Sequence, residues 1–157
     1  MLSYQQILKN AAVVCSKSDK CSSDMIGSLR QRGLSDEEIT AGIDFLINEK
    51  FIDDKRYTLH FVHDKFKFNK WGKVKIAYML RQKHIAQHLI EKSLDSIADE
   101  DYEKTICELL KAKVKSVKGA NDHERKGKLA VFAQGRGFES DIAYRIAGEI
   151  IASQPEQ

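Results

Sequence analysis

One short pattern occurs three times along the chain, and it limits the possible folds more than any other feature. Residues 29–39 read Leu-Arg-Gln-Arg-Gly-Leu-Ser-Asp-Glu-Glu-Ile, residues 80–85 read Leu-Arg-Gln-Lys-His-Ile, and residues 132–138 read Phe-Ala-Gln-Gly-Arg-Gly-Phe. When Gly33, His84 and Gly137 are aligned, the copies are 51 and 53 residues apart. A recurrence at a nearly fixed period is typical of a repeat protein.

Each copy has the features of a helix end followed by a helix start. A glycine just after the last helical turn adopts the left-handed backbone conformation that closes a helix, and Gly33 and Gly137 occupy this position. Ser35 is then suited to cap the next helix, with Glu38 three residues later completing a capping box. The pattern therefore predicts several short helices joined by tight turns.

The spacing of apolar residues between these turns also predicts an all-α chain. The single proline, Pro155, comes near the end, and strand-like alternation is scarce. We predict three three-helix repeats, at 3–50, 51–98 and 99–152, followed by a flexible tail at 153–157. Short turns between helices of this length favour a small bundle within each repeat.

The composition predicts a cytoplasmic protein. Charged residues make up 31% of the chain, and no apolar run approaches the roughly 18 residues of a membrane span. The first residues lack the basic and apolar regions of a signal peptide. Cys15, Cys21 and Cys107 are odd in number and scattered, so reduced thiols are expected.

No motif indicates an enzyme, a metal or a cofactor. Asp53 and Asp54 invite a metal hypothesis, but the better interpretation is a helix cap followed by a first-turn acid. The pairs His60 with His63 and His84 with His88 have helical spacings compatible with a metal, yet they lie among cations and lack an obvious third ligand. No nucleotide-binding loop, nucleophile elbow or zinc-protease motif occurs.

The net charge of +3 conceals a strong asymmetry. From Lys55 to Lys92 there are ten Lys or Arg residues and two acids, a local charge of +8, so the remainder carries −5. A concentrated basic surface is suited to phosphates or to an acidic protein partner. The alternative is a basic face that contacts only solvent.

The candidate contact surface lies in this central segment. Its predicted members are Lys65, Lys67, Lys70, Trp71, Lys73, Lys75, Arg81 and Lys83. Nearby aromatic residues could stack on bases, but their helical spacing favours packing in the core, with Trp71 as the expected exception.

In combination, these motifs resemble the RecX family of bacterial recombination regulators. The elements that carry the resemblance are residues 29–39, Ile-Asp-Asp-Lys-Arg-Tyr at 52–57, Trp-Gly-Lys-Val-Lys-Ile at 71–76, residues 80–85 and Gly-Arg-Gly-Phe at 135–138. They occur in the family's order and cover nearly the whole chain. His84 stands where the family usually has glycine, so a strained or different helix end is expected there, and Ala133 stands where leucine is usual.

The resemblance implies an elongated array of the three repeats and a regulatory function without catalysis. The expected partner is the RecA–DNA filament, whose ATPase, strand-exchange and coprotease activities such proteins mostly inhibit. Direct, nonspecific binding of single- and double-stranded DNA is also expected. A monomer is expected, since the apolar faces can all be used within the array.

Two other functions fit the same residues. A sequence-nonspecific DNA-binding protein that acts independently of RecA would also need the basic segment. A helical-repeat scaffold for proteins is the other alternative, although the spacing of 51 to 53 residues differs from the 34-residue tetratricopeptide period.

Overall fold

The structure, a computed structural model, describes residues 2–155, and within that range every regular element is an α-helix. The helices are α1 (Tyr4–Lys17), α2 (Ser22–Gln31), α3 (Asp36–Asn48), α4 (Asp54–Lys67), α5 (Lys73–Gln82), α6 (Gln87–Asp95), α7 (Asp99–Val114), α8 (Asp122–Gly135) and α9 (Ser140–Ala152). The all-α prediction is confirmed. The helices fall three to each predicted repeat, although the repeat bounds themselves stay a prediction.

Two of the predicted helix starts are present as expected. The Ser35 hydroxyl accepts the Glu38 N–H at 3.2 Å, and the Glu38 carboxylate accepts the Ser35 N–H at 3.0 Å. The Asp53 carboxylate accepts the Arg56 N–H at 3.0 Å, and Asp54 lies in the first turn of α4. The two aspartates are therefore a cap and a first-turn acid, as the sequence predicted.

The pattern found three times in the sequence forms the same hydrogen-bonded turn each time. Gly33, His84 and Gly137 all have positive φ, at 84°, 58° and 95°. In each case the N–H of the next residue bonds to the carbonyl five positions back, from Leu34 to Leu29, from Ile85 to Leu80 and from Phe138 to Ala133. This is the Schellman ending of an α-helix. His84 therefore adopts the ordinary turn in a strained conformation, rather than a different cap.

The chain divides into two compact units. The first contains the residues up to Phe61 together with Leu80–Ile90, and the second contains Val62–Met79 together with the residues from Glu91 onward. In the first unit, α1, α2 and α3 enclose a core that includes Ile7, Leu29, Ile43 and Leu46. In the second unit, helices α7 to α9 bury residues that include Ile106, Leu110, Leu129 and Ile146. Full burial of each such side chain contributes roughly 1.5–3 kcal/mol.

Several local details differ from what the residue pattern alone predicts. Ser22 or Ser23 is suited by type to cap α2, but Cys21 is the N-cap residue and its N–H bonds to Asp24 at 3.4 Å. Apolar spacing predicts a helix over about 85–98, but α6 occupies Gln87–Asp95, because Ile85 belongs to the Schellman turn and residues 96 and 97 form a turn of their own. Helical spacing groups Ile47 and Val131 with the apolar residues of α3 and α8, but both side chains are exposed.

Residues 153–155 lie beyond the last helix, and the remainder of the predicted tail is outside the described residues. Among residues 2–155, no helix is both long and apolar enough to cross a bilayer. The three cysteines are free thiols, as predicted, and burial raises the pKa of each.

Replacing His84 by glycine should stabilise the protein. A non-glycine residue in the left-handed region costs roughly 1–2 kcal/mol, and His84 is exposed, so its side chain contributes little packing in return. We expect H84G to raise the free energy of unfolding by about 1 kcal/mol in urea denaturation. The matched change G33A, at the equivalent turn, should lower it by a similar amount. An H84G protein no more stable than wild type would contradict this explanation of the turn.

Candidate functional site

The predicted basic residues are concentrated where α4 passes into α5. We call residues 65–75 the Trp71 turn. Helix α4 ends at Lys67 and α5 begins at Lys73, and Lys70 between them has a φ of 55°. The Trp71 N–H bonds back to the Lys65 carbonyl, six positions earlier, at 3.1 Å, so the turn after α4 is one residue wider than the three Schellman turns. No aspartate or glutamate occurs between Asp64 and Glu91 in the sequence.

Four of the five lysine amines of the Trp71 turn lie over aromatic rings. The Nζ atoms of Lys65 and Lys75 are 5.0 and 4.4 Å from the centre of the Trp71 ring. Lys73 Nζ is 4.8 Å from the Tyr102 ring, and Lys67 Nζ is 5.5 Å from the Phe68 ring. Each cation–π contact is worth roughly 0.5–1 kcal/mol at exposed sites. The contacts favour defined positions for these four ammonium groups.

The Trp71 turn is fixed to the turn between α8 and α9 by backbone contacts. The Gly72 N–H donates to the Arg136 carbonyl at 2.8 Å, and the Val74 N–H donates to the Gly137 carbonyl at 2.9 Å. A Cβ atom on Gly72 would lie 2.3 Å from the carbonyl carbon of Gly137, and one on Gly137 would lie 2.2 Å from Lys75 Cβ. The two backbones approach this closely only because both residues are glycine.

Tyr102 on α7 supports the same turn from beneath. Its hydroxyl accepts the Lys73 N–H at 2.9 Å and donates to the Glu139 carboxylate. Its ring packs against Phe66 and Phe138, with ring centres 5.8 and 5.2 Å away. Burial, and then the Glu139 carboxylate, raise the pKa of Tyr102, so the hydroxyl stays protonated and remains a donor.

Two predicted members of the surface, Arg81 and Lys83, belong to the first unit. The Arg81 side chain donates to Gln87 at 3.2 Å. The Lys83 amine pairs with Asp24 at 2.7 Å, and that hydrogen bond raises the pKa of Lys83. Burial opposes ionisation of Asp24, but the hydrogen bonds from Lys83 and Cys21 lower its pKa overall. Much of the Lys83 charge is therefore neutralised locally by Asp24.

The residues that hold the Trp71 turn in place were not predicted from the sequence. Gly137 was recognised only as a helix end, and Tyr102 only as part of an apolar stripe. The one available signal was that both Gly72 and Gly137 are glycines with a basic residue on one side and an aromatic residue on the other. Trp71 was expected to be the exposed aromatic residue, but it is half-buried, whereas Phe68 and Tyr78 are exposed.

The two histidines of the first pair, His60 and His63, contact different partners. His60 Nδ1 lies 3.0 Å from an Asp19 oxygen, and His63 Nε2 lies 3.3 Å from the Ser96 hydroxyl. Across residues 2–155, no three His, Cys, Asp or Glu side chains are gathered where they could hold an ion.

Adding a methyl group at Gly72 should disrupt the contact that fixes the Trp71 turn. Because the new Cβ would overlap backbone atoms of Gly137, we expect G72A to lower the free energy of unfolding by roughly 1–3 kcal/mol in urea denaturation. The control G27A places its Cβ in open space within α2 and should stabilise the protein by about 1 kcal/mol. Equal stabilities of G72A and wild type would show that the close approach is not present.

Removing the Tyr102 hydroxyl should cost roughly 1–3 kcal/mol of stability at neutral pH, because the Lys73 N–H and Glu139 both lose a partner. This cost should shrink in alkali. Above about pH 10 an unfolded tyrosine loses its proton, but folded Tyr102 keeps it because its pKa is raised. The free energy of unfolding of the wild-type protein therefore falls as the pH rises through this range. Y102F has no hydroxyl at this position and does not lose stability in this way. Chemical denaturation of both proteins across that pH range measures the difference between their free energies of unfolding. A difference that does not become smaller as the pH rises would contradict the raised pKa of Tyr102.

Comparisons with known proteins agree with the architecture. The sequence model of the RecX second three-helix domain matches residues 53–94, and that of the third three-helix domain matches residues 99–146. A crystal structure of RecX from Lactobacillus salivarius superposes with a TM-score of 0.83 at 21% identity, covering 94% of this chain and 96% of that one. A second crystal structure, of a regulatory protein RecX, also gives a TM-score of 0.83, at 20% identity. The predicted array of three-helix repeats is thus confirmed.

Curated relatives carry the same description. A regulatory protein RecX from Clostridium botulinum (strain Eklund 17B / Type B) is 35% identical over 125 residues, which is 78% of this chain and 58% of the relative. The chain thus spans under two thirds of that protein's length. One from Chlorobium phaeobacteroides (strain BS1) is 31% identical over 130 residues, which cover 83% of both chains. This chain belongs to the RecX family of regulatory proteins.

Proposed function

We propose that this protein binds the RecA–DNA filament and inhibits RecA's ATPase, strand-exchange and coprotease activities. The observation that supports the proposal most is the Trp71 turn, in a chain of the RecX family. It carries five lysines and no acid, and its backbone is fixed by Gly137 and Tyr102. A fixed array of cations suits a partner whose phosphates or carboxylates are also regularly spaced.

The proposed mechanism requires binding energy and no catalysis. A ligand that binds one state of a filament more tightly than another shifts the population toward the state it prefers. Contact of the Trp71 turn with DNA phosphates or with acidic RecA side chains would compete with contacts inside the filament. Binding would thereby favour disassembly or block extension.

Three further features belong to this proposal. The protein would act as a monomer, because the apolar residues of its helices are largely buried within the chain. It would act in the cytoplasm, with RecA, and would need no cofactor. It would also bind single- and double-stranded DNA without sequence preference, since phosphate contacts carry no sequence information.

Reversing three charges of the Trp71 turn tests the proposal. We expect K70E/K73E/K75E to require at least about tenfold more protein for half-maximal inhibition of the RecA ATPase, because three attractive contacts become repulsive. Circular dichroism should show unchanged helicity.

A matched variant separates local charge from net charge. K9E/K17E/K55E reverses three exposed lysines of the first unit and produces the same net charge. It should inhibit the ATPase nearly as well as wild type. Undiminished inhibition by K70E/K73E/K75E would sink the assignment of the Trp71 turn, and equal loss in both variants would indicate a nonspecific effect of net charge.

The alternative is a sequence-nonspecific DNA-binding protein that acts independently of RecA. The same lysines favour it, because they suit phosphates on any DNA. Salt-sensitive DNA binding without any effect on RecA would establish this alternative in place of the proposal.

A further inference from the structure

Two large aromatic side chains in or next to the Trp71 turn are exposed to solvent, although helical spacing predicted aromatic residues in the core. Phe68 is 71% exposed and Tyr78 is 58% exposed. Phe68 follows the end of α4 inside the Trp71 turn, and Tyr78 lies in the second turn of α5, three residues after the Trp71 turn ends. Exposed rings beside the candidate basic surface are candidates for contact with the same partner.

Neighbouring aromatic side chains are explained by packing within the protein. The Phe66 ring stacks on Tyr102 at 5.8 Å between ring centres, and Trp71 lies beneath the amines of Lys65 and Lys75. Phe68 and Tyr78 instead present most of their surface to solvent. Val74, one helical turn before Tyr78, is also 54% exposed. The solvent-facing side of the first turns of α5 is therefore apolar and aromatic.

The charges beside these rings select one class of partner. The sequence from 65 to 90 contains no carboxylate, and the amine of Lys67 lies 5.5 Å from the Phe68 ring. Proteins that bind single strands combine a cationic path for the phosphates with aromatic rings on which unpaired bases stack. In a duplex the base faces are covered by their neighbours, so these rings would gain nothing from duplex DNA.

We propose that Phe68 and Tyr78 are base-stacking positions, which makes this surface selective for single-stranded nucleic acid. The inference deepens the proposed function, because the lysines of the Trp71 turn would hold the phosphates of the same strand. Lysine contacts supply affinity for any nucleic acid, and the two rings supply the preference for exposed bases. The ring faces, rather than the mere apolar area, carry this preference.

The test replaces both rings by leucine, which keeps an apolar side chain and removes the aromatic face. Binding of F68L/Y78L and wild type would be measured by fluorescence anisotropy at fixed salt. The probes are a labelled oligothymidylate, an abasic strand of equal length and a duplex of equal length. Because each ring would lose its stacking on one base, F68L/Y78L should bind oligothymidylate at least about fivefold more weakly. Its affinities for the abasic strand and the duplex should match those of wild type.

A control variant makes the same chemical change elsewhere. F45L/Y144L replaces one phenylalanine and one tyrosine that are 43% and 41% exposed on α3 and α9, and it should bind all three probes as wild type does. Equal losses of F68L/Y78L on all three probes, or no loss on any, would overturn the stacking proposal. So would a loss of RecA inhibition with unchanged DNA binding, because the rings would then contact protein.

The two proposals fail separately. If K70E/K73E/K75E still inhibits RecA fully, the proposed function of the Trp71 turn is wrong, whatever the rings do. If that variant loses inhibition while F68L/Y78L binds oligothymidylate normally, the lysine surface stands and only base stacking is wrong.

Discussion

The close approach of Gly72 to Gly137 is the contact on which the basic surface depends. It permits two backbone hydrogen bonds, from Gly72 to Arg136 and from Val74 to Gly137, and Tyr102 adds a third to Lys73. Each such bond contributes only about 1 kcal/mol, but together they fix consecutive residues of one turn. Because the lysine stems start from this turn, the positions of their charges follow from backbone contacts rather than from flexible surface side chains.

The repeat could be predicted from the sequence because the same type of turn ends several of the helices. A residue in the left-handed conformation, followed by an apolar residue that bonds back to the last turn, leaves a local mark in the sequence. Glycine made it visible at Gly33 and Gly137. The same turn occurs at Lys50, where φ is 63° and the Phe51 N–H bonds to the Leu46 carbonyl, but lysine gives no such signal. The residue pattern at helix ends therefore identified the architecture. It did not reveal the turn at Lys50, where glycine, the usual residue, is absent.

The support and exposure of the candidate surface could not be predicted in this way. Tyr102 and Gly137 meet the Trp71 turn from positions about 30 and 65 residues away, and no periodic pattern encodes such pairings. Helical spacing placed Phe68 on an apolar stripe, but the stripe continues past the end of α4, where no other element covers it. The lysines, in contrast, were found by charge alone, because a run without acids needs no tertiary information.

We propose that the basic surface acts on a filament rather than on naked DNA. The most direct test titrates the single-stranded-DNA-dependent ATPase of RecA with this protein at fixed salt. The protein's own affinity for the same DNA is measured in parallel. We expect inhibition at concentrations well below those at which the protein coats naked DNA. Inhibition only at DNA-saturating concentrations would contradict it and would indicate simple competition for DNA.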